Sequence, residues 1–183
     1  MLKRLLCGPS LLILSLISLS SFVAAATIVK TISLDTVIES SAVIFHGVVR
    51  DVDDDLSLSA MGPFKTRIQL EIISSIKGVD SSDEIFELVL PGGRAGNRVM
   101  RIPGMPRFKS GQEVIVFLEE NRTGYTLTGL FQGVFFLKPT ANKNVVLPGS
   151  FDSVGEVVRN ELGRPISAQD FIVQIMEKVN KGR

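Results

Sequence analysis

The firmest pattern along the chain lies between residues 64 and 76. Phe64, Ile68, Leu70, Ile72 and Ile76 fall on one face, with Lys65, Arg67, Gln69 and Glu71 on the other. A period of two is the mark of a strand with one buried face. Residues 42–52 come before it and are apolar on both faces over their first half, which predicts a strand covered by a core on one side and by a helix or second sheet on the other. A polar loop over 53–62 joins the two. Lys77-Gly78 then turns the chain into a strand over 84–90, with Phe86, Leu88 and Leu90 inward and Pro91 at its end. Residues 91–112 hold Gly92, Gly93, Gly96, Gly104 and Gly111 with three prolines, which predicts a structured loop or a loop with a short strand. Further strands are expected over 113–119, 125–130 and 133–137 and around Val145-Val146-Leu147, with only weak signals over 149–166.

Two helices frame this series. Ser33 caps a two-turn segment in which Leu34, Val37 and Ile38 share a face. Ser167 with Asp170 opens a C-terminal helix over 167–181, where Phe171, Ile172, Ile175, Met176 and Val179 recur at one-face spacing and predict docking onto the core. Six to eight strands separated by turn signals and flanked by two helices predict a mainly β fold, a small antiparallel barrel with core 42–148.

The first 26 residues read differently. Lys3 and Arg4 precede an apolar run over 11–19 and then Ala24-Ala25-Ala26, the layout of a secretory signal peptide. Cleavage there predicts a single mature domain over 27–183, starting at Thr27, without Cys7 and with no stable membrane span. Export to a periplasm or the extracellular space follows from this. The mature chain then has no cysteine and no disulfide, so its stability rests on its core.

Composition narrows the function. Of 183 residues, 45% are hydrophobic and 21% charged, which excludes a disordered tail. One histidine and one cysteine leave little from which to build a zinc site or a cysteine nucleophile. His46 is flanked by Ile44 and Val48 on its strand face and has no partner legible in sequence, so it reads as a core or edge residue. No serine lies in a Gly-x-Ser-x-Gly elbow, and no catalytic residue is assigned. Asp51, Asp53 and Asp55 match the first ligand positions of a calcium loop. However, Leu56 stands where the turn glycine belongs and Gly62 where the glutamate belongs, so they read as a loose calcium candidate or a solvated acidic tip. No cofactor is expected.

The formal charge of +1 becomes −1 once Lys3 and Arg4 leave with the leader, yet it is unevenly spread. Between Pro91 and Gln112 stand Arg94, Arg98, Arg101, Arg107 and Lys109 and no acid, in a mature chain whose remainder is net −6. Arginines grip carboxylate or phosphate with two prongs, and Gly92 and Gly93 would let backbone amides approach a ligand. These residues therefore form the candidate surface for a protein or anionic partner; the competing reading is a solvated loop whose arginines pair with the chain's own acids. The segment lacks the Gly-Lys-Ser/Thr ending of a phosphate loop. Single-stranded nucleic acid is not expected as a partner, because one Tyr, no Trp and core-placed Phe residues give no stacking platform. Phe131, Phe135 and Phe136 read as core. Asn121-Arg122-Thr123 forms a glycosylation sequon at a turn.

Two resemblances accompany this reading. The run from Ser41 through His46-Gly47 to Val49, then Arg67 to Ile72 and Lys77-Gly78, resembles the opening of netrin-like modules and tissue inhibitors of metalloproteinases. That resemblance implies a barrel of the oligonucleotide/oligosaccharide-binding (OB) type. Pro91-Gly92-Gly93, Gly104-Met105-Pro106-Arg107-Phe108, Gly111-Gln112-Glu113 and Phe117-Leu118 are similar to a group of exported bacterial proteins with no assigned activity. The inhibitors chelate a protease zinc through an N-terminal cysteine, which the mature chain lacks. Three readings follow: an exported non-enzymatic binding module; a regulator of a secreted metalloprotease that uses another contact; and an enzyme of unrecognised type.

Overall fold

The computed structural model describes residues 31–56, 64–80, 84–149, 158–159 and 163–182. The leader over 1–26, Cys7, the start at Thr27, the loop tip over 57–62 and most of the weakly patterned 149–166 stretch lie outside the described residues.

The fold is mainly β and antiparallel. Its strands are β1 (Val43–Asp53), β2 (Lys65–Lys77), β3 (Ile85–Pro91), β4 (Gly93–Ala95), β5 (Arg98–Met100), β6 (Glu113–Asn121), β7 (Gly124–Leu127), β8 (Val134–Pro139) and β9 (Asn144–Pro148). Seven of them form one sheet in the order β3-β2-β1-β6-β8-β9, with β7 also on β6, while β4 and β5 pair separately. Tyr125 in β7 lies opposite Glu120, and Phe136 in β8 lies opposite Val114. β7 and β8 thus run antiparallel to the same strand in sequence, interrupted by a 3-10 turn over Leu130–Gly133. The hydrogen-bonded sheet stays open among the described residues, because β3 meets β7 through the rings of Phe86 and Tyr125 (centroids 5.4 Å apart) and not through backbone pairing.

β1 and β6 run through the middle of the sheet and are buried on both faces, as the double apolar pattern predicts. Val43, Phe45, Val114, Val116 and Leu118 point into one cluster with Ile68, Leu70, Leu88, Leu90, Phe108 and Phe136. Ile44, Ile115 and Phe117 point the other way, under the two helices. α1 (Leu34–Ser40) supplies Val37 and Ile38 to that second cluster, and α2 (Ala168–Lys181) supplies Phe171, Ile175 and Val179. Aromatic packing ties the layers together: Phe135 lies 5.6 Å from Phe117 and 4.8 Å from Phe171 between ring centroids.

Both helices start where their caps predict. The Ser33 hydroxyl accepts from the Thr36 amide at 3.2 Å, and the Ser167 hydroxyl accepts from the Asp170 amide at 3.1 Å. The α2 stripe is narrower than its periodicity suggests. Phe171, Ile175 and Val179 follow a strict i, i+4, i+8 line into the core, which leaves Met176 38% exposed.

β2 departs from its regular alternation. The pairing of β1 with β2 shifts register at three places, one of them between His46↔Ser74 and Gly47↔Ile72, which leaves Ile73 unpaired and exposed. An extra residue reverses the facing of everything beyond it and coils the strand. Ile68, Leu70 and Ile72 therefore join the first cluster, whereas Ile76 packs in the second. Gly47 permits the tight crossing here, since a Cβ on it would run into the Glu71 carbonyl. Among the described residues no helix is long and apolar enough to cross a membrane.

Candidate functional site

The segment after β3 leaves the sheet as a short hairpin. β4 and β5 pair Gly93 with Met100, Arg94 with Val99 and Ala95 with Arg98 around the two-residue turn Gly96-Asn97. Gly96 sits at φ +61° in the first turn position, the left-handed conformation that such two-residue turns require and that glycine takes without strain. Of the two alternatives read from the sequence, the loop with a short strand is the nearer, and the strand has a partner.

The root of the hairpin is stitched to the β1–β2 connection. The Gly92 amide donates to the Phe64 carbonyl at 2.8 Å, the Thr66 hydroxyl donates to the Gly92 carbonyl at 2.8 Å, and the Arg94 amide donates to the Asp54 carbonyl at 2.5 Å. Gly93 adopts φ +149°, and a Cβ there would stand 2.6 Å from the Lys65 carbonyl oxygen and 2.7 Å from that of Asp54. The two glycines thus serve close approach within the chain. The Gly92 amide, one of the two expected to approach a ligand, is engaged by the Phe64 carbonyl.

The cations divide into two groups. Arg94 is held by Asp54, with Nε to Oδ2 at 3.2 Å, so one arginine pairs with the chain's own acid. Arg98 and Arg101 are exposed, and among the described residues neither forms an ion pair. Between and beside them stand Val99 and Met100, 55% and 44% exposed. Arg107 and Lys109 belong to a separate return segment. There Phe108 is buried against Phe136 in the first core cluster, and Gly111 donates to the Val49 carbonyl. The structure therefore brings Gly92, Gly93, Arg94, Arg98 and Arg101 together in and beside one short hairpin and leaves Arg107 and Lys109 on the segment that leads into β6.

The calcium candidate is not assembled. Asp53 accepts from Arg67 Nη2 at 3.0 Å and, through its other oxygen, from the Asp55 amide at 3.2 Å, so both its oxygens are in use. No group of three or more potential metal-ligating side chains occurs among the described residues.

One polar cluster was not legible in the sequence. His46 Nε2 lies 2.7 Å from Glu113 Oε1, and Asn144 Nδ2 donates to Glu113 Oε2 at 3.0 Å. These residues come from β1, β6 and β9, and only the strand register joins them. His46 sits opposite Ile115, one step diagonal from Glu113. The histidine is buried, as a core position implies, but it has a carboxylate partner.

Two cavities accompany these features. One of about 240 Å³ lies between α1 and the 3-10 turn, lined mostly by apolar groups such as Ile32, Leu34, Phe131 and Phe135. The other, about 550 Å³, lies beside the helices. Its Lys178 pairs with Asp35, and its Lys77 donates to the Ile38 carbonyl at 3.0 Å. Neither includes His46 or the hairpin arginines. The sequon at Asn121 forms a turn in which the Thr123 amide and hydroxyl both donate to the Asn121 side-chain carbonyl. In comparisons with known proteins, no family model and no curated protein matches the chain.

Proposed function

We propose that this chain is an exported, non-enzymatic binding module that meets a protein or anionic partner through the β4–β5 hairpin. The observation that carries the reading is the pairing of Arg98 and Arg101, free of acidic partners among the described residues, with exposed Val99 and Met100 on a hairpin fixed at its root. Arginine and methionine are enriched in recognition surfaces, and a fixed presentation lowers the entropy lost on binding. Export rests on the leader features of residues 1–26.

The fold is read as an open barrel of the OB type. Support comes from the strand order: β1, β2 and β3 form a meander, β6 lies beside β1, and the interrupted strand β7–β8 lies beside β6 and turns its Tyr125 toward Phe86 of β3. In that reading the hairpin is an excursion between the third and fourth barrel strands, and its return segment plugs the interior with Phe108.

A crosslinking pull-down from the envelope and culture medium of the source cells tests the function. The chain should retain a partner, a protein or anionic lipid, that the R98A/R101A variant loses while melting at the same temperature. Equal recovery by both would overturn the reading.

A further inference from the structure

We infer that the partner of the β4–β5 hairpin is an anionic lipid surface, with Val99 and Met100 entering the headgroup layer and Arg98 and Arg101 engaging lipid phosphates. This rests on the binding-module reading and commits it to one partner. The register leaves the side chains of β5 uncovered along its length, from Arg98 beside the turn to Met100 at the root. Met100 faces Gly93 and Arg98 faces Ala95, so the side chains across from them are too small to cover either. On the opposite face Val99 stands beside Arg94, which Asp54 already holds. The result is an exposed apolar side chain on each face of the ribbon, flanked along the strand by Arg98 and Arg101, neither of which forms an ion pair among the described residues; such a ribbon entering edge-on places apolar atoms in an interface and cations at the phosphate level.

Charge sets the orientation. Five cations and no acid lie between Pro91 and Gln112, whereas the rest of the mature chain is net negative, so an anionic surface attracts this side and repels the others. Size decides between a lipid and a protein. A stable protein interface buries roughly 800 Å² on each partner, which two strands of three residues do not supply. A headgroup layer needs no such area and no complementary shape, and each arginine near it strengthens attachment by about fivefold.

The chain contains no tryptophan, so V99W introduces a unique fluorophore at an exposed position. Its emission is recorded with vesicles of phosphatidylcholine alone and of phosphatidylcholine with phosphatidylglycerol, both also with brominated acyl chains. The exposed helix position Val173 supplies a reference variant, V173W. The expected result is a blue shift and bromine quenching for V99W on the anionic vesicles alone, and no change for V173W. R98Q/R101Q in the V99W background should weaken partitioning by about 30-fold, and salt should weaken it further. The readout is local to the hairpin, so attachment through another part of the chain does not register. Unchanged V99W emission on anionic vesicles, an equal change at V173W, or indifference to the arginine substitutions would overturn the inference. A shift with inorganic phosphate alone would assign the site to a free anion and overturn it too. If the vesicles fail while the pull-down still depends on Arg98 and Arg101, the partner is a protein and only this inference falls; if both fail, the binding-module reading falls with it.

Discussion

Replacing Phe117 with alanine tests the two-faced architecture at its centre. Phe117 lies in β6, is 0% exposed and points toward the helices, where its ring meets Phe135 edge-on at 5.6 Å. Truncating a buried phenylalanine costs about 3–5 kcal/mol through lost transfer energy and the cavity left behind. The aromatic pair accounts for about 0.5–1.5 kcal/mol beyond area. Collapse around the site is hindered because Phe135 is also held by Phe171 of α2, which places the expected value in the upper half of the range. For a chain of this length each kcal/mol moves the melting point by about 2–4 °C, so F117A should melt roughly 8–20 °C lower. Urea denaturation followed by far-ultraviolet circular dichroism would measure it beside M176A, on the exposed side of α2, which should stay within about 0.5 kcal/mol of the parent. A loss below about 1 kcal/mol for F117A would mean that the helices do not pack on this face.

Three further outcomes follow from the same structure. S167A removes the oxygen that accepts from the Asp170 amide and should lower stability by about 1 kcal/mol in urea melts, with S167D restoring most of it; an unchanged midpoint for S167A would contradict the cap. G93A forces a side chain against two carbonyl oxygens at a backbone angle that favours glycine, at a cost of about 1–3 kcal/mol, and amide exchange should accelerate at Gly92 and Arg94 ahead of the sheet. Protection equal to the parent's at both amides would refute the stitched root. H46A leaves the Glu113 carboxylate to Asn144 alone and should cost about 1–3 kcal/mol, and a double-mutant cycle with E113A should give coupling above about 0.5 kcal/mol, whereas additivity would show the contact to be idle.

The elements legible in the sequence were those whose signal is local. The Ser33 and Ser167 caps and the apolar spacing from Phe171 to Val179 placed both helices within a residue of their observed ends. The double apolar pattern of β1 also foretold its two covered faces. What escaped depends on pairing between distant strands. The bulge at Ile73 arises from how β2 meets β1, so no alternation rule reveals that Ile76 faces the helices. The His46–Glu113–Asn144 cluster exists only once β6 and β9 take their places in the sheet. The basic stretch stood out by charge, but its glycines and prolines suggested a loop with at most one short strand, not a paired hairpin. The separation of Arg98 and Arg101 from the Asp54-held Arg94 needed coordinates.

The most direct test of the central claim is photocrosslinking in the cell from a photoreactive residue at position 99, compared with one at position 173 on the exposed side of α2. If the hairpin is the contact surface, adducts form from position 99, disappear when Arg98 and Arg101 are neutralised, and are absent from position 173. Adducts from position 173 with none from position 99 would contradict the account and move the working surface to the helices.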